Sequence, residues 1–113
     1  MQQTDLPLMS DRSSPRASLE ARWLALMRDV LPKMAKRCGW PISRDHCFMR
    51  VCLDISLGRP WTTVVKPPAI RHMTNEQLIA AIAVAEAVVH APETLHALNR
   101  RSISERRRLR NID

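Results

Sequence analysis

The octet DHCFMRVC, Asp45 to Cys52, sets an acid, an imidazole, two thiols and a guanidinium side by side. Such groups can ligate a metal, move protons or hold an anion. On a helix turning about 100° per residue they separate. Cys47 and Cys52 then stand about 140° apart, too far round the axis to share an ion or form a disulfide within the helix. Each reads as a small core hydrophobe. A zinc site would need further ligands from Cys38 or His72, which lie at no recognisable ligand spacing, so no metal is expected. His46, Arg50 and Asp54 fall four apart on one stripe. That stripe is either an ion pair with a flanking histidine at the edge of a bundle, or a polar seam for an anionic group. The candidate seam comprises Asp45, His46, Arg50, Asp54, Arg71 and His72, with Trp61 available to close it. His46 could serve as an acid or base, but no nucleophile or triad accompanies it, and no catalytic residue is assigned.

The second chemical cluster is basic. Arg100, Arg101, Arg106, Arg107, Arg108 and Arg110 fall within eleven residues. Continued as a helix they encircle the axis without an apolar face. They look like arginine-rich segments that order on nucleic acid, where guanidinium forks grip phosphates. The alternative is a disordered, solubilising tail. The tail has no aromatic residue and the chain no tyrosine, so a stacking platform for single strands is not expected.

The elements that must position these groups are helical. The two glycines, Gly39 and Gly58, each precede a proline by two residues and read as helix stops. A first helix is expected over about Leu19–Cys38, with Ser18 as N-cap and a kink or break at Pro32. A second is expected over Arg44–Leu57, with Ser43 as N-cap, and its nearly all-round apolar surface makes it the central helix. Residues 58–72, with Pro60, Pro67 and Pro68, read as an ordered connector pinned by Trp61, with a short strand over Thr62–Val65 as the weaker alternative. TNEQ at 74–77 is a capping box that starts a third helix, with Leu78, Ile82, Ala85 and Val89 on one face and Ile79 beside them. Pro92 opens a fourth helix, to about Arg101, with Leu95 and Leu98 inward; the residues beyond either extend it or fray. The expectation is an all-α bundle of four to five helices with a Pro-rich ordered loop. Its parts are a flexible arm over 1–16, a helical domain over 17–101 and an Arg-rich tail over 102–113. An ordinary helix-turn-helix across His90–Pro92 is not expected, because the third helix is acidic and very apolar.

At 113 residues the chain is one domain at most. No apolar run reaches the about 18 residues of a membrane span. No signal pattern opens the chain, and three cysteines without CxxC spacing suit reduced thiols, so a cytoplasmic protein is expected. The formal charge of +7 is uneven: residues 74–99 carry −3 and residues 100–113 carry +4. A basic and an acidic side are implied, and the basic side favours nucleic acid or an acidic protein. A solvated basic surface with no such partner is the plain alternative.

The stretches WPISRDHCFMRVCLDISLGRPW, PPAIRHMTNEQLIAAIAVAE and LNRRS resemble a group of short bacterial proteins. That group shares W-P-I-x-x-D-H-C-F-x-R, a P-A-x-R loop and an L-N-R-R-S ending, and it is commonly labelled as related to the general-control N-acetyltransferases. The resemblance covers roughly residues 40–104. The group's shared positions would be Asp45, His46, Arg50, Asp54, Trp61, Pro68, Arg71, His72, Asn99, Arg100 and Arg101. The label implies a small enzyme or ligand binder using the His/Arg/Asp seam. Neither glycine forms the Gly-rich turn that holds acetyl-CoA in those enzymes, and no cofactor is expected. The leading expectation is a non-enzymatic accessory protein that binds nucleic acid or an acidic protein through its basic face and Arg-rich C-terminus. A protein–protein adaptor, inhibitor or homodimer is a further alternative.

Overall fold

The computed structural model describes residues 14–112. They form an all-α bundle with five helices of eight residues or more and no strand among the described residues. The first helix runs as α1 (Pro15–Ala25), a π turn (Leu26–Val30) and α2 (Leu31–Cys38). It begins earlier than the sequence suggests. Ser14 is its N-cap, accepting from the Ala17 backbone N–H at 3.1 Å, and Pro15 fills the first helical position, where its missing N–H costs nothing. Residues 14–16 therefore belong to the bundle, and the rest of the expected arm lies outside the described residues. The helix also survives Pro32. The turn before it widens, so that Leu31 N–H reaches Leu26 O, and the backbone stays right-handed throughout. The offset ladder absorbs both the donor that proline lacks and the clash it would cause.

Gly39, at φ 64°, ends α2 in the left-handed conformation. Helix α3 (Asp45–Leu57) follows, and Gly58 at φ 76° ends it in the same way. Its N-cap is Arg44 rather than Ser43. The Asp45 carboxylate serves the first turn, accepting from His46 N–H at 2.8 Å. Phe48, Val51, Cys52 and Leu53 are buried, and α3 packs against the π turn and the later helices Asn75–His90 and Leu95–Ile112. Trp40 meets Phe48 edge-on, with ring centroids 5.8 Å apart, and closes one end of the core.

The Pro-rich connector holds no strand. It contains a 3₁₀ turn (Trp61–Thr63) and a four-residue helix, α4 (Ala69–His72). Val65, Ala69 and Met73 bury themselves in the core. Arg16 clamps the far end of the connector, donating to Ile70 O at 2.6 Å, Met73 O at 2.7 Å and Asn75 Oδ1 at 3.1 Å. The capping box is complete: Thr74 Oγ1 accepts from Gln77 N–H at 3.0 Å, and Gln77 Oε1 accepts from Thr74 N–H at 2.9 Å. It opens α5 (Asn75–His90), whose buried face is Leu78, Ala81, Ile82, Ala85 and Val88. Ile79, expected beside that face, is 53% exposed because the helix turns it to the opposite side.

A 3₁₀ turn (Pro92–Thr94) leads into α6 (Leu95–Ile112), and the chain bends by 114° between α5 and this last helix. The tail placed at residues 102–113 is thus the second half of an 18-residue helix as far as Ile112. Among the described residues no single helix is long and apolar enough to cross a membrane.

Candidate functional site: a locked arginine helix

Asp54, 3% exposed, is the centre of the polar chemistry. Its Oδ1 accepts from Trp61 N–H at 2.9 Å and from Arg106 Nη2 at 3.1 Å. Its Oδ2 accepts from Ser102 Oγ at 2.7 Å and Arg106 Nε at 2.7 Å. Four donors fill the roughly four lone-pair positions of a carboxylate. No acceptor capacity remains for a substrate proton, so Asp54 works as a tie between α3, the connector and α6. Arg50 extends the tie, donating to Ser102 Oγ and to Asn99 Oδ1, each at 2.7 Å. It reaches Asp54 through Ser102, not directly as the four-residue spacing suggested.

The seam therefore has a different membership from the one the sequence proposed. Arg50 and Asp54 belong to it. His46 lies outside, with a 68% exposed side chain whose Nδ1 is 3.7 Å from Asp45 Oδ1. Arg71 is exposed on α4, and His72 meets only its own turn, with Nδ1 3.1 Å from Pro68 O. The partners that sequence reasoning missed are Ser102, which is fully buried, and Arg106, which it assigned to an external surface. Arg16, which fixes the connector, was missed as well.

The cysteines stay apart: Cys38 is exposed, Cys47 half-buried and Cys52 buried. Burial raises the Cys52 thiol to about 12 and leaves it inert at neutral pH. No group of three or more His, Cys, Asp or Glu side chains converges among the described residues.

Docking of α6 sorts its arginines. Leu95, Asn99, Ser102 and Arg106 face the body of the bundle, with Leu98 and Leu109 half-buried at the margin. The helix thus has an inward face that the arginine run concealed. Arg100, Arg101, Arg107 and Arg108 are exposed, and at about 100° per residue they share an arc of about 120° on the outer side. Arg110, also exposed, borders a groove with Pro60, Thr62, Thr63 and Leu109. Arg59, from the connector, borders a second groove with Arg108. On the outer arc Glu105 pairs with Arg108 at 2.8 Å. Arg100, Arg101, Arg107 and Arg110 have no acidic partner among the described residues.

No family model matches the sequence, no curated protein matches it, and no solved structure matches the fold.

Proposed function

We propose that this chain is a non-enzymatic nucleic-acid binder that grips the phosphodiester backbone with the outer face of α6. The observation that carries the reading is the sorting of arginines on one docked helix. Arg106 is consumed by Asp54, while Arg100, Arg101, Arg107, Arg108 and Arg110 are held on the solvent side. A face fixed in advance does not lose the ordering entropy that a disordered tail would lose on binding.

Two further features support it. The chain bends by 114° from α5 to α6 through the four residues Ala91–Thr94, within the about 90–120° range of DNA-binding helix pairs, and the second helix carries the cations. The charge of α5 argued against a helix-turn-helix, yet the Glu86 carboxylate is engaged by Arg22 at 2.8 Å. The aromatic inventory points to phosphate contacts rather than base stacking. Trp23, Trp40 and Phe48 are buried, and Trp61 is packed against the core.

Fluorescence anisotropy with a labelled random-sequence duplex tests the reading. Four phosphate contacts predict an affinity loss of about 100-fold between 50 and 200 mM salt. Absence of binding at the lower salt overturns the reading. Binding of poly-glutamate in preference to the duplex would assign the face to an acidic protein partner instead.

A further inference from the structure

Two rows of identical spacing run side by side along the outer face of α6. One is Arg101–Glu105–Arg108; the other is Arg100–Ser104–Arg107, the same pattern one residue earlier. At about 100° per residue each row lies within an arc of about 60°, and the outer arginines of each are about 10.5 Å apart along the axis. In the first row the anion is built in. Arg108 Nη2 donates to Glu105 Oε1 at 2.8 Å. That hydrogen bond and the Arg108 charge, with a smaller share from Arg101, lower the Glu105 carboxyl below its ordinary value. In that row Arg108 makes the contact with the carboxylate, and Arg101, one turn earlier on the same side, adds only the smallest of the favourable influences on it.

The second row has the same two arginines and no carboxylate. Its middle position is a hydroxyl, and Arg100 and Arg107 have no acidic partner among the described residues. Arg100, Ile103, Ser104 and Arg107 line an open concavity on the surface. We propose that this concavity is an oxyanion subsite that takes one phosphodiester group of a nucleic-acid backbone, the external counterpart of Glu105 in the neighbouring row. The guanidinium groups close on the phosphate from both ends of the row, giving charge-assisted, two-pronged hydrogen bonds. Ser104 Oγ donates from below, and Ile103 shields one side from water, which strengthens both ion pairs. The proposal rests on the nucleic-acid reading above and adds to it a specific place where affinity is concentrated.

Charge-matched variants separate the two ideas. Arg100→Gln with Arg107→Gln, and Arg101→Gln with Arg108→Gln, each remove two positive charges from the same arc. All four side chains are exposed, so each variant should fold, with circular dichroism and melting midpoint unchanged from the wild type. In anisotropy titrations with a random-sequence duplex, the first pair should weaken binding by about 30-fold and the second by only about 3-fold. Ser104→Glu should install the missing carboxylate and mimic the first pair, losing about 10-fold or more against the wild type, while the neutral Ser104→Gln stays within about 3-fold. Equal losses from the two double variants, or equal behaviour of Ser104→Glu and Ser104→Gln, overturn the subsite while leaving the nucleic-acid reading in place. No binding by the wild type overturns both.

Discussion

Asp54 on α3 and Arg106 on α6 meet through two hydrogen bonds, at 2.7 and 3.1 Å, across 52 residues of chain. The carboxylate is nearly buried and the guanidinium about a third exposed. Loss of Asp54 would strand Arg106, Ser102 Oγ and Trp61 N–H together. Asp54→Ala should therefore lower stability by about 3 kcal/mol, the range for breaking a buried pair from its buried side. For a domain of this size that is a fall in melting temperature on the order of 15 °C. Arg106→Gln leaves the buried Asp54 carboxylate without its bidentate cation and should cost a comparable amount, about 3 kcal/mol. Melting curves of both variants and their double mutant measure the coupling; additive losses would mean that the two side chains do not act as a unit.

Arg16 sets up a second long-range dependence. Its guanidinium satisfies Ile70 O and Met73 O, two carbonyls around α4 that a helix of four residues leaves without internal partners. Arg16→Lys keeps the charge but offers a point donor in place of the planar fork, so it should not rescue the clamp. Both Arg16→Ala and Arg16→Lys should cost about 2 kcal/mol. Hydrogen exchange should show the loss as faster exchange at Arg71 and Met73, whose amides bond within this segment, while the amides of α3 keep their protection.

Cys52 predicts how stability responds to alkaline pH. Burial raises its thiol from 9.0 to about 12, so the unfolded chain releases this proton first. Above pH 9.0 the unfolded state binds fewer protons than the folded one, and stability must fall with pH until about 12. The contribution is full below the unfolded value and declines by about 1.4 kcal/mol per pH unit within that window. The wild type minus Cys52→Val difference in unfolding free energy should therefore be flat to pH 9 and slope downward beyond it. A flat difference up to pH 11 would place the thiol in contact with water. At neutral pH a thiol reagent should modify Cys38 and spare Cys52 in the native protein.

Helix punctuation was legible in the sequence, and tertiary partnership was not. Gly39, Gly58 and the Thr74–Gln77 box act through residues next to them, so composition alone locates those boundaries. Ser14–Pro15 carries an equally local signal, but Ser18 before Leu19 offered a competing start. The stripe His46–Arg50–Asp54 pointed to the polar side of α3 without saying which helix covers it. The answer lay in α6, where Leu95, Asn99, Ser102, Arg106 and Leu109 recur at alternating steps of four and three residues. Two hydrophobes at the ends of that series frame three polar positions, and six similar arginines masked the pattern. Arg106 differs from Arg107 only by the roughly 100° that turns it toward Asp54.

Arginines fixed inward and arginines left outward thus divide α6 into a structural and a contact side. The most direct measurement follows the arginine Nε–Hε resonances of the full chain by NMR while a random-sequence duplex is added at low salt. The signals of Arg100 and Arg107 should shift most, those of Arg101 and Arg110 less, and those of Arg16, Arg50 and Arg106 should stay in place. Shifts confined to residues away from α6, such as Arg44 and Arg71, or displacement of Arg106 from Asp54 on binding, would contradict this division of the helix.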